Sequence, residues 1–274
     1  MTIDSHIHFW KYHPVKDAWI TDDMKIIQRD FLPKDLLPVL QENKTDGCVA
    51  VQADQSEGET IFLLQCAKEN DFIKGVVGWI DLKANDLDDR LQYFLQFKKL
   101  KGFRHIVQAE PDGFLLDEKF IDGIKLLHQY NFTYDILIVS RQLKEAAAFV
   151  NKLASQKLII DHCAKPDIKN AQIKEWALLM KELASHTNIY CKLSGLFTEA
   201  DWSNWKEEDF YPYLDVVFET FGTQRLLFGS DWPVMLLAGN YTKWKNLVEK
   251  YMQRFIDEER EAVFGNNAIE FYNL

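Results

Sequence analysis

The chain has 274 residues, 47% of them apolar and 14% aromatic, and a formal charge of −10. That length suits one α/β barrel of roughly 250 residues or two ordinary domains. The acidic balance argues against a nucleic-acid or anionic-membrane partner, which clustered lysines and arginines would serve, and solubility accounts for it. The N-terminal MTIDSHIHFW lacks a basic region followed by an apolar stretch. No apolar run approaches the roughly 18 residues that span a bilayer, so the expected location is the cytoplasm. Cys48, Cys66, Cys163 and Cys191 show no C-x-x-C spacing and read as reduced core residues. Oligomeric state has no readable signal.

In chain order, short apolar or β-branched runs alternate with segments of helical periodicity. The expected strands are Thr2 to His6, Cys48 to Ala53, Lys74 to Leu82, Gly102 to Val107, Thr133 to Ile138, Leu158 to Cys163, Ile189 to Ser194 and Leu226 to Asp231. Between them, Ser56 to Glu59 match a capping box. Leu87, Leu91, Phe94 and Leu95 share a helical face, with Asp86, Asp88 and Asp89 at its start. The same spacing recurs in Phe120, Ile124 and Leu127; in Ile173, Trp176, Ala177 and Met180; in Leu214, Val217, Phe218 and Phe221; and in Trp244, Leu247, Val248 and Tyr251. Eight βα units predict a single (β/α)₈ barrel over residues 1–274, with a doubly wound open sheet as the alternative. No linker or low-complexity tract divides the chain. The connection from Phe9 to Phe31 is long for a βα loop, and such loops build active sites.

Polar residues punctuate the strand ends. His6 and His8 are two residues apart, so a period of two puts both imidazoles on one face. His162 follows an apolar run, and Asp231 ends the last one just before Trp232 and Pro233. Alone, each has an ordinary explanation: a solvated N-terminus, a hydrogen-bonded core histidine, an aspartate capping a turn. In a barrel, however, the C-terminal ends of strands one, six and eight share one mouth, and the four residues converge.

This set, with Gly229-Ser-Asp-Trp-Pro-Val234, resembles the amidohydrolase superfamily in its amidohydrolase-2 branch. Val51-Gln-Ala-Asp-Gln-Ser56, Gly102-Phe-Arg-His-Ile-Val-Gln108, Leu158-Ile-Ile-Asp-His-Cys-Ala-Lys-Pro166 and Tyr190-Cys-Lys-Leu-Ser-Gly195 are similar to stretches of sugar lactonases acting on L-fuconolactone and L-rhamnonolactone. Binuclear members carry a bridging Lys or Glu after strand four and a metal-binding His after strand five. Here those strands offer Arg104, His105 and Asp135, which argues against a two-metal site. A single Zn²⁺ or similar ion on His6, His8, His162 and Asp231 and metal-independent catalysis both stay open.

The resemblance implies a hydrolase that opens a small-molecule sugar lactone. Asp231 is then the candidate general base, His162, Arg104 or a metal polarises the carbonyl, and His6 and His8 are ligands or donors. Gln55, Trp79, His105, Lys165 and Trp232 are candidate substrate contacts. In a regular strand only one of Arg104 and His105 points inward. The alternatives are a decarboxylase or other ring hydrolase on the same scaffold and a non-catalytic sugar-binding barrel. The scarcity of strand-end arginines, Arg104 and Arg141 being the main ones, favours a neutral polyol lactone over a carboxylate substrate.

Overall fold

The computed structural model describes residues 1–274. Eight strands form: β1 (Ile3–Ile7), β2 (Gly47–Val51), β3 (Ile73–Gly78), β4 (Leu100–His105), β5 (Thr133–Ile136), β6 (Leu158–Ile160), β7 (Ile189–Leu193) and β8 (Leu226–Phe228). Each pairs in parallel with the next, so sheet order equals chain order. Two bonds join the ends of the sheet: His8 N–H donates to Trp232 O at 2.7 Å and Asp231 N–H to His6 O at 2.9 Å. This closure makes a (β/α)₈ barrel and excludes the open doubly wound sheet.

The helices are α1 (Pro33–Glu42), α2 (Glu57–Glu69), α3 (Leu87–Phe94), α4 (Glu118–Gln129), α5 (Leu143–Val150), α6 (Lys174–Ala184), α7 (Leu196–Glu199), α8 (Tyr211–Phe221), α9 (Tyr241–Tyr251), α10 (Asp257–Glu261) and α11 (Asn267–Tyr272). Their apolar stripes bury as the spacing requires, with Phe120, Ile124 and Leu127 of α4 and Trp244, Leu247 and Val248 of α9 no more than 1% exposed. Leu95 departs from this pattern: it lies past the end of α3 and is 43% exposed. Ser56 caps α2 by accepting from Glu59 N–H. The reciprocal half of the expected box is absent, because the Glu59 carboxylate accepts instead from Ala53 and Asp54 N–H and braces the β2–α2 loop. No helix is long and apolar enough to cross a membrane. All four cysteines are buried and free.

All eight expected strands form, yet those drawn through Cys163 and Asp231 stop at Ile160 and Phe228. Past β6, His162, Cys163, Ala164 and Lys165 all have φ between 49° and 56°, and Asp231 past β8 has φ 61°. Left-handed backbone cannot continue a ladder, so the polar residues at these ends leave the sheet.

Inward-facing residues form two levels. The lower one is apolar: Ile3, Val49, Val51, Val77, Ile159 and Leu227, closed from below by Ala268, Phe271 and Tyr272 of α11. The upper one is ionic and supports the mouth. Because Phe271 is 2% exposed in the plug, Phe271→Ala is expected to cost about 3–5 kcal/mol, whereas Leu178→Ala on the outer face of α6 should change stability by less than about 0.5 kcal/mol. Urea denaturation of both variants measures the difference.

Candidate active site

Near the start of β1 the Asp4 carboxylate ties the strand to the turn that follows β8, Oδ1 accepting from His6 N–H at 3.0 Å and from Ser230 N–H at 2.9 Å. Burial pushes the Asp4 carboxyl up to about 6. The register of β1 on β2 shifts between Asp4 and Ile7, yet His6 and His8 share the interior, with their Nε2 atoms 3.1 Å apart. His8 Nδ1 lies 2.8 Å from Val51 O. A carbonyl only accepts, so His8 carries its proton on Nδ1 and presents a lone pair from Nε2.

That lone pair faces Asp231 Oδ1 at 3.3 Å, and His6 Nε2 is 3.9 Å from the same oxygen. Two acceptors in contact require a proton or a cation between them. Ligands of a tetrahedral Zn²⁺ at roughly 2.0–2.1 Å stand about 3.4 Å apart, so His6, His8 and Asp231 have the donor types and spacing of an ion-holding face. The fourth expected ligand, His162, places Nε2 4.0 Å from Asp231 Oδ1. It groups more closely with His6 and Asp161.

His162 Nδ1 is 2.9 Å from Ser194 Oγ. Gly195 permits this approach, since a Cβ there would sit 2.4 Å from His162 Nδ1. Burial pushes His162 down to about 4, against the pull of Asp231 and Asp161, so the ring is neutral at pH 7. Burial also holds His6 well below the ordinary histidine range, Asp161 opposing and Lys192 reinforcing. For Asp231, burial raises the carboxyl but is outweighed by His162, His8 and Lys165, and the group stays below the usual carboxylate range. It is ionised at neutral pH.

An ionic layer lies beneath. Arg104 Nη1 donates to Asp161 Oδ2 at 3.0 Å and stands 3.3 Å from His6 Nε2, while its Nη2 donates to Gln52 O. Lys192 Nζ contacts Asp135 Oδ2 at 2.5 Å and Asp161 Oδ1 at 3.0 Å. Tyr272 of the plug donates to Asp135 Oδ2 at 2.9 Å. Asp161 stays well below the usual range despite burial, because Lys192, His6 and Arg104 surround it.

The barrel thus brings together His6, His8, His162, Asp231 and Arg104. Arg104 is the inward member of its pair. His105 faces the helices, its ring stacked on Phe114 at 4.8 Å, edge-on to Phe120, and bonded to Glu110. Trp79 donates from Nε1 to His105 Nδ1 at 3.3 Å. Gln55 accepts from Ile106 N–H at 2.7 Å, linking two βα loops. Lys165 is 3.8 Å from Glu199. Trp232 is 3% exposed and packed edge-on against Phe9 and Phe31.

Lys192, Asp161, Ser194 and Gln52 were not singled out by the sequence reading, although a signal existed for the first. Lys192 is the lone charge in the buried strand Ile189-Tyr-Cys-Lys-Leu193, at the parity of the inward-facing Ser194.

Residues 3–274 match the amidohydrolase family (Amidohydro_2). An L-fucono-1,5-lactonase from Burkholderia multivorans is 38% identical across all of this chain and 96% of that protein. An L-rhamnono-gamma-lactonase from Scheffersomyces stipitis is 29% identical over 65% of this chain and 60% of its own length. A crystal structure of a Burkholderia multivorans amidohydrolase with bound Zn superposes with a TM-score of 0.97, at 38% identity, covering 100% of this chain and 99% of that one. With its eight-stranded barrel and the histidine and aspartate cluster at its mouth, the chain belongs to the amidohydrolase family.

Proposed function

We propose that residues 1–274 act as one barrel domain that hydrolyses a sugar lactone of the L-fucono-1,5-lactone kind to its aldonic acid. The observation that carries this reading is the buried Asp231 carboxylate, ionised beside His8, His6 and His162. The name of the full-length relative supports the substrate class.

A cyclic ester needs a deprotonated nucleophile, a stabilised oxyanion and a proton for the departing ring oxygen. Asp231 takes a proton from the attacking water, whose oxygen bonds to the carbonyl carbon. Collapse of the tetrahedral species breaks the bond from that carbon to the ring oxygen, and Asp231 returns the proton to the alkoxide. His162, neutral and with Nδ1 on the Ser194 hydroxyl, directs Nε2–H to the oxyanion. A divalent cation held by His6, His8 and Asp231 would supply Lewis-acid polarisation of the carbonyl. Arg104 acts from below, fixing His6 and Asp161. Gln55, Trp79 and Lys165, with Glu199 beside it, present polar and aromatic groups from the loops to the polyol, while His105 and Trp232 brace those loops.

Asp231→Asn is expected to lower kcat/KM on L-fucono-1,5-lactone by about 10²- to 10⁴-fold, and turnover near that of wild type at every pH would refute the base assignment. In a panel of sugar lactones and hydroxylated aromatic acids, followed by acid release and CO₂ evolution, the lactones should turn over. Decarboxylation with all lactones inert would sink the reading.

A further inference from the structure

Lys165 and Glu199 stand on adjacent loops that the site itself pins. Lys165 ends the left-handed turn after β6, its N–H donating to His162 O at 2.8 Å. Glu199 ends α7, which begins directly after Gly195, and its backbone carbonyl accepts from Lys169 N–H at 3.0 Å. Phe197 of the same helix packs on Trp205, Phe210 and Trp244, which fixes this short turn from behind. The two loops are thus joined twice, through His162 with Ser194 and through Lys169 with Glu199.

The Lys165 and Glu199 side chains are only 21% and 23% exposed, and Lys165 Nζ lies 3.8 Å from Glu199 Oε1. That separation is too long for a hydrogen bond. Both groups act on the candidate base. Burial raises the Glu199 carboxyl against the pull of Lys165, and Asp231 adds to the rise. At Asp231, burial is outweighed by His162, His8 and Lys165. The pair therefore borders the space that Asp231 and His162 face.

An oxygen about 2.8 Å from each of two atoms 3.8 Å apart fits between them. A hydroxyl placed there accepts from Lys165 and donates to Glu199, so both charged groups gain a partner. A carboxylate oxygen also accepts from Lys165, but it has no proton to offer Glu199 and sets a second negative charge against it.

We propose that Glu199 is a specificity-determining residue, which together with Lys165 reads a hydroxyl of a neutral polyol lactone and excludes rings that carry a carboxylate. The inference rests on the lactonase reading for its substrate class. Glu199 takes no part in the proton transfers assigned to Asp231; it selects what reaches them.

The test measures competitive inhibition of L-fucono-1,5-lactone hydrolysis by L-galactono-1,4-lactone and by L-galactaro-1,4-lactone, which carry a hydroxymethyl and a carboxylate at C6. In the wild-type full chain the neutral compound should bind about 10- to 100-fold more tightly. Glu199→Gln keeps the shape and removes the charge, and should bring the two within about threefold of each other, whereas Lys165→Gln should widen the gap. A bridge that only holds the loops together would weaken both compounds alike in either variant. Equal or inverted affinities in wild type, a gap unchanged by Glu199→Gln, or a gap narrowed by Lys165→Gln overturns the inference. The first of these is read on wild type, whatever the folding of the variants. If L-fucono-1,5-lactone is not hydrolysed, the lactonase reading fails, and calorimetric titration of the same two compounds still measures the gap. Unchanged discrimination in an enzyme that does hydrolyse the lactone overturns the inference alone.

Discussion

Two cations and two carboxylates inside a barrel are tolerable only because each faces the other across a few ångströms. Arg104, Asp135, Asp161 and Lys192 are each 3% exposed or less. Every such ion loses several kcal/mol of hydration, which pairing and hydrogen bonds must offset, and removing one partner leaves another charge stranded. This layer ties β4, β5, β6 and β7 together at mid-height. It also forms the floor of the candidate site, so the positions of His6 and Asp231 depend on a charge balance set below them.

Above that floor, the backbone carries strain where the chemistry is expected. Four successive residues from His162 to Lys165, and Asp231 on the other side of the mouth, lie in the left-handed region. Non-glycine residues there cost of order 1–3 kcal/mol each and persist only where surrounding contacts over-determine them. Those contacts are visible: Ser194 on His162, Trp176 Nε1 on Cys163 O at 2.8 Å, and His6 O accepting from Asp231 N–H. The turns free His162 and Asp231 from strand alternation and aim them at the two histidines of β1.

The legibility of the site divides along the same line. His6, His8, His162 and Asp231 stood out because each is polar at the end of an apolar run, and a barrel gathers such ends at one mouth. Arg104 was legible for the same reason. Asp161 was hidden beside the more conspicuous His162, and Lys192 inside a strand whose other residues read as core. Trp232 and His105 looked like ligand contacts from their neighbours in sequence. They turned toward the aromatic packing of Phe31 and Phe114 instead, where their rings bury apolar area.

The sequence by itself determined the number and order of the βα units, and hence the barrel, because hydrophobic periodicity is a local property that each segment displays alone. It also marked the four residues at the strand ends. Only the tertiary structure decided which of Arg104 and His105 faces inward, where β6 and β8 stop, and that Lys192 and Asp161 both reach one nitrogen of His6. These outcomes depend on contacts between strands distant in sequence: Lys192 is 186 residues from His6, and Asp231 closes the sheet through a backbone bond to it. Hydrogen-bond demand and charge pairing act through space, and no pattern within one segment records them.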